Sequence, residues 1–236
     1  MNDVNPEPRV LVFDIEVSDM KADYGSLLMV GYKWLGNKKI HCPSLLDYEK
    51  EWALDDKALV TEVHRVIGQA DMLIGFYSSM HDIKYLQSKF LKYGLPVLPP
   101  VPHIDLYFLA RTHLSLSRKS LDNLSRYLDT KHKKYYCDAS VWQRAKVGDL
   151  VGMKEIIKHC RADIAVTEEM YYKLRSLSRQ PSVRIGGWLP CRVCGSTRLQ
   201  RRGYSLTATQ GKKIRVQCQE CSHWETRSPE HAEVAA

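Results

Sequence analysis

Val10 to Val17 reads VLVFDIEV, an apolar and β-branched run broken only by Asp14 and Glu16. That length and chemistry suit a buried central strand. Strand periodicity then puts both carboxylates on one face. Two acids within an apolar strand are costly unless a charge offsets them, and a shared divalent cation is the usual agent. Alone, the pair also fits a strand end that protrudes into solvent.

Outward from this strand, Leu27 to Leu35 and Lys39 to Cys42 are expected as two further strands around the Gly36-Asn37 turn, giving an antiparallel meander. Lys57 to Ile67 carries Leu59, Val63, Val66 and Ile67 at helical spacing, and Met72 to Phe76 reads as a short buried strand. Ser79 to Tyr93 follows as a helix ended by Gly94 and Pro96. Helical character continues through Leu106 to His113 and Ser120 to Leu128. The longest helical signal is Gly148 to Leu177, where Ile156, Cys160, Ile164, Thr167, Tyr171 and Leu174 advance by three or four residues. Ser176 to Pro190 has no periodicity and contains Gly186-Gly187, as a linker would. The expected organisation is a domain over 1–177, a linker over 178–190, a small module over 191–227 and a frayed tail over 228–236.

The 236 residues are 44% hydrophobic and 26% charged, which excludes a disordered chain. A formal charge of +8 favours a polyanionic partner, because basic surface concentrates phosphates and releases their counterions. No apolar run reaches the roughly 18 residues of a membrane span, and Met1 to Arg9 lacks the apolar core of a secretory signal. The expectation is a cytoplasmic protein without a membrane partner. The seven cysteines are odd in number, and four of them form two C-x-x-C pairs, so metal binding explains them better than disulfides.

Three further polar residues acquire meaning only together. Asp82, after the Met72 to Phe76 strand, would by itself be an acid favoured by the helix dipole, with Ser79 as a cap. His159 and Asp163 lie four apart on the long helix and so share one side of it; alone they fit an exposed pair. FDIE at Phe13 to Glu16, GFYSSMHD at Gly75 to Asp82 and HCRAD at His159 to Asp163 resemble, in order, the three exonuclease motifs of the DEDD superfamily. IDLYFLAR at Ile104 to Arg111, SLDNLSRYL at Ser120 to Leu128 and Val141-Trp142 resemble the proofreading-exonuclease domains of family B DNA polymerases and their small bacterial and phage relatives. The resemblance covers about residues 9 to 177 and points to a bacterial or phage-encoded chain.

The resemblance implies an α/β fold, a ribonuclease-H-like mixed sheet flanked by helices, and a 3′-5′ exonuclease. Asp14, Glu16, Asp82 and Asp163 would hold two catalytic Mg²⁺ or Mn²⁺ ions, about 3.5 to 4 Å apart. His159 would act as general base or position the water. Relatives carry Tyr four residues before the last acid or His five before it, whereas here His stands four before. Tyr77 replaces a frequent Asn, and His81 a frequent Phe. Asp105, Asp122 and Asp138 are read as helix-start or loop acids, without a catalytic role.

Cys191-x-x-Cys194 and Cys218-x-x-Cys221, separated by 23 residues, resemble a zinc ribbon holding one structural Zn²⁺. Tyr204 to Thr209 and Lys213 to Gln217 are its expected strands, and His223 is expected at the surface. Arg198, Arg201, Arg202, Lys212, Lys213 and Arg215, with Arg192, Arg227, Tyr204 and Trp224, suit phosphate contacts and base stacking. The expected partner is DNA or RNA with a single-stranded 3′ end. A structure-specific endonuclease on the same fold and a catalytically silent nucleic-acid-binding adaptor are the alternatives.

Overall fold

A computed structural model describes residues 9–48, 52–98, 101–178, 190–207 and 211–227. The described chain divides into two compact units, Arg9–Tyr172 and the segment from Lys173 onward.

In the first unit, β1 (Val10–Val17) is central. It pairs antiparallel with β2 (Leu27–Trp34) and parallel with β3 (Met72–Gly75), which pairs parallel with β4 (His103–Asp105), in the order β2-β1-β3-β4. Leu11, Val12 and Phe13 are each at most 1% exposed, so both faces of β1 are covered. That explains the unbroken apolar run. A register irregularity opposite Glu16 and Val17 leaves Leu28 of β2 as the extra residue where the acids of β1 end.

Among the described residues six α-helices flank this mixed sheet: α1 (Lys57–Ile67), α2 (Asp82–Lys92), α3 (Leu106–His113), α4 (Leu121–Tyr127), α5 (Ala139–Lys146) and α6 (Leu150–Leu174). The apolar stripe of α6 packs closely on β2 at Gly31, where a Cβ would lie 2.6 Å from the Cys160 Sγ and 3.0 Å from Ile164. Only glycine permits that approach. Asp105 and Asp138 cap α3 and α5 through Tyr107 N–H and Ser140 N–H, and Asp122 pairs with Arg126 in α4.

Lys39 to Cys42 does not form the expected third strand of a meander. It makes only the isolated bridge Tyr32↔His41, and Pro43 has no N–H with which to extend a ladder. Nor does Ser79 cap α2. The N-cap position is His81, and the Ser79 hydroxyl donates instead to Asp105 Oδ2 at 2.6 Å.

The second unit contains a three-stranded antiparallel sheet, β5 (Leu199–Thr207), β6 (Gly211–Cys218) and β7 (Trp224–Arg227). Its first strand starts earlier than expected, and β7 was not anticipated from sequence. Residues 208–210, nearly all of the expected linker and the whole of the expected tail lie outside the described residues.

Candidate active site

Asp14 and Glu16 project from β1, Asp82 from the first turn of α2, and His159 and Asp163 from successive turns of α6. The fold brings all five together. Glu16, Asp82, His159 and Asp163 are buried at 8%, 4%, 7% and 6% exposure, so the exposed-pair reading of the α6 residues does not hold. Asp82 Oδ1 accepts the backbone N–H of Ile15 at 3.1 Å, which ties the start of α2 to the acidic strand.

His159 bridges two of the acids. Its Nε2 is 3.7 Å from Glu16 Oε1 and 3.6 Å from Asp163 Oδ2. Its Nδ1 lies 2.6 Å from the carbonyl oxygen of Tyr135. A carbonyl only accepts, so Nδ1 carries the proton and Nε2 offers a lone pair to the acid cluster. Burial lowers the imidazole pKa and favours this neutral base.

Burial is also the main reason that Asp14, Glu16 and Asp82 hold their protons tightly. Glu16 is pushed up to about 8 and Asp82 to about 7. Asp14 is raised well above its ordinary value by burial and then by the charges of Asp82, Glu16 and Asp163. The repulsion among these groups is what a bound cation would relieve. Ligand atoms of Asp14, Glu16 and Cys160 lie within 4.8 Å of one another, and the buried Asp163 Oδ1 has no hydrogen-bond partner among the described residues. An oxygen-rich, charge-frustrated cluster with an orphaned carboxylate oxygen fits a divalent metal.

Three residues of this site were missed as functional in the sequence. Lys134, from the loop between α4 and α5, places its ammonium 2.5 Å from Asp163 Oδ2. Burial works against its charge, but Asp163, Asp14 and Glu16 outweigh that and raise its pKa. Trp142 on α5 donates its indole N–H to Glu16 Oε2 at 3.0 Å, while its ring meets His159 edge-to-face at 5.1 Å. Cys160, read only as part of an apolar stripe, donates its thiol to Asp14 Oδ2 at 3.5 Å. For Trp142 the Val141-Trp142 resemblance was the available signal; for Cys160 it was the place between His159 and Asp163.

The turn leading to Asp82 is held under strain. Tyr77 adopts a positive φ of 60°, which is uncommon for a bulky residue. Asp105 fixes it by accepting the N–H groups of Tyr77 and Ser79, both at 2.9 Å. The Tyr77 ring is half exposed and lies edge-on to Tyr107 at 4.9 Å.

In the second unit the four cysteines converge. All four sulfurs lie within 4.8 Å of one another, with Cys191–Cys221 at 3.6 Å and Cys194–Cys218 at 3.5 Å. Four Zn–S bonds of about 2.3 Å in a tetrahedron require sulfur separations of about 3.8 Å, so the cluster fits a zinc ribbon. His223 is buried rather than at the surface, and its Nδ1 lies 3.0 Å from the carbonyl of Ser176. It stands outside the thiol group.

On β6, Ile214, Val216 and Cys218 are buried, while Arg215 between them is exposed. Gln217 pairs with the half-exposed Trp224 and Arg215 with Thr226, and Arg202 reaches Gln217 Oε1 at 3.1 Å. Strand alternation thus gathers Arg202, Lys213, Arg215 and Trp224 on one face. Arg201 and Lys212 instead flank the Tyr204 ring, at 4.8 and 3.9 Å. Arg198 is tied to Glu220 at 3.1 Å, and Arg192 to Glu225 at 2.9 Å. No helix of the described residues is long and apolar enough to cross a membrane.

The family model of the RNase H superfamily matches residues 11–175. No curated protein matches the chain. Among solved structures, the family B DNA polymerase from the hyperthermophilic archaeon Pyrobaculum calidifontis is similar, with a TM-score of 0.58 and 16% identity over 72% of this chain and 26% of that one. The chain spans about a quarter of that polymerase, and at this identity the likeness concerns the fold. The family match and the acid cluster support a metal-dependent nuclease acting on nucleic acid. With 165 of its 236 residues inside the matched span, the chain belongs to the RNase H superfamily.

Proposed function

We propose that this chain is a 3′-5′ exonuclease that hydrolyses DNA or RNA from a single-stranded 3′ end, with Mg²⁺ or Mn²⁺ held by Asp14, Glu16, Asp82 and Asp163. The observation that carries the reading is the convergence of four acids with the free Nε2 of His159. Two divalent cations in such a cluster supply charge stabilisation at phosphate and lower the pKa of an attacking water.

The protein groups have separable tasks. His159 Nε2 accepts a proton from the attacking water, and the Tyr135 carbonyl keeps the ring in the basic tautomer. Trp142 fixes the orientation of Glu16 through the indole N–H. Lys134 offsets the negative charge around Asp163. Cys191, Cys194, Cys218 and Cys221 hold one structural zinc, which leaves no open position for catalysis. Arg202, Lys213 and Arg215 contact phosphates while Trp224 stacks on a base. Arg198, Arg201 and Lys212 add positive charge around that module.

Incubation of the full chain with 5′-labelled single- and double-stranded DNA and RNA, in Mg²⁺, Mn²⁺ or neither, tests this reading. A descending ladder that needs metal and favours single strands is expected. One internal cut would assign an endonuclease, and binding without cleavage a silent adaptor.

A further inference from the structure

An open groove of about 560 Å³ lies between the loop that follows β1 and the outer face of α2, the helix that Asp82 opens. Lys21 stands on the loop side, and His81, Lys84, Ser88 and Lys92 stand on the helix side. Lys84, Ser88 and Lys92 repeat every four residues and so form one stripe. None of the three lysines has an ion-pair partner among the described residues. Asp23 is the acid on the lining.

Tyr85 packs beneath the loop wall: it is 3% exposed, and its hydroxyl is covered by the loop at Gly25 rather than open to the groove. The loop wall is fixed rather than loose. The buried Lys89 ammonium donates to the Gly25 carbonyl at 2.5 Å and pairs with Asp56 Oδ2 at 2.8 Å, while Gly25 N–H closes onto the Lys21 carbonyl at 2.8 Å. A Cβ at Gly25 would come within 2.9 Å of the Tyr85 hydroxyl.

We propose that this groove is a phosphate-binding track that receives the backbone of the substrate strand next to the acid cluster. The inference rests on the nuclease reading, because the track starts where Asp82 opens α2. At 1.5 Å rise per residue, Lys84 and Lys92 are about 12 Å apart along the helix axis, farther than one phosphate can serve. The ligand is therefore a chain of phosphates rather than a mononucleotide. Met20 and Met80 on the lining give the intervening sugars and bases apolar contact.

The test compares full-length wild type, the double variant Lys84→Ala/Lys92→Ala and a charge control, Lys57→Gln, on 5′-labelled oligodeoxynucleotides of increasing length from the dinucleotide. In wild type and the control, KM falls about tenfold or more between dinucleotide and hexanucleotide; in the double variant this advantage collapses to about threefold or less. Two lost phosphate contacts also flatten the slope of log affinity against log salt by about 1.4, at about 0.7 per contact on a single strand. Anisotropy with a labelled hexanucleotide, without Mg²⁺ or Mn²⁺, reads that slope independently of hydrolysis. A double variant with the wild-type length advantage and salt slope overturns the track. Lysine-dependent binding without hydrolysis at any length supports the track and removes the nuclease reading.

Discussion

Lys134 Nζ lies 2.5 Å from Asp163 Oδ2, and the other oxygen of Asp163 is buried without a hydrogen-bond partner among the described residues. The ammonium therefore offsets part of the charge that Asp14, Glu16, Asp82 and Asp163 bring together, and leaves one buried carboxylate oxygen without a hydrogen bond among the described residues. Lys134→Ala is expected to destabilise the protein free of Mg²⁺ and Mn²⁺ by about 1.5–3 kcal/mol at pH 8, the usual worth of a hydrogen bond to a charged group. Saturating Mn²⁺ should recover much of that loss. Thermal unfolding with and without Mn²⁺ measures both, and an unchanged Tm would mean that Lys134 is a spectator.

The acids predict an unusual stability response to substitution. Asp14 sits amid three other carboxylates whose charges raise its pKa after burial does. Asp14→Asn replaces, at nearly constant volume, a carboxyl whose ionisation burial and its neighbours oppose. It should raise the Tm of the protein free of catalytic metal at pH 8 while abolishing cleavage. A lower Tm would show that the carboxylate serves the fold.

The same charges set the pH dependence. Glu16 near 8 and Asp82 near 7 bind their protons more tightly in the folded chain than in the unfolded one. The folded state therefore holds more protons between the ordinary carboxylate range and about pH 8, and stability contributed at low pH is lost as pH rises through 7 to 8. Without Mg²⁺ or Mn²⁺ the Tm should fall across that window, and added Mn²⁺ should flatten the fall. Denaturation at several pH values checks this; a Tm that rises from pH 6 to 8 would contradict it.

His159→Ala should slow hydrolysis by about 10²- to 10⁴-fold, the range for a lost general base, with little change in Mn²⁺ affinity. Single-turnover rates read the first and titration calorimetry the second. An unchanged rate would assign the imidazole to packing against Trp142.

Cys191→Ser should abolish the bound zinc and the order of β5, β6 and β7, because metal binding of about 10–16 kcal/mol decides whether so small a module folds. Affinity for oligonucleotides should fall more than the maximal rate on short ones, since the acids lie in the first unit. Zinc content by atomic absorption, together with anisotropy and turnover, separates these effects. Undiminished affinity would leave protein docking as the role of the basic ribbon face.

The strands and helices that were legible in the sequence are those whose burial imposes a long pattern. β1 is covered on both faces and reads as continuous apolar residues; α1 and α6 each bury a stripe and read at helical spacing. β4 has three residues and α5 only one fully buried residue, Ala145, so neither leaves a periodic trace. The five residues that the fold brings together stand out in the sequence because they occur in ordered motifs. Lys134 was not, because its role depends on a loop folding back over α6, and nothing local distinguishes it from Lys131 or Lys133. Strand alternation settles which basic residues share the ribbon face with Trp224, but the irregularity in β5 between Arg201 and Tyr204 obscures that parity in the sequence.

Calorimetric titration of Mn²⁺ into wild type, Asp14→Asn and Asp163→Asn, with oligonucleotide turnover on the same samples, tests whether Asp14 and Asp163 hold the catalytic metal. Wild type should bind two Mn²⁺ per chain beyond the zinc and cleave. Each variant should lose at least one Mn²⁺ and all measurable cleavage while keeping a cooperative unfolding transition. Turnover near the wild-type rate in either variant would contradict the two-metal account of this site.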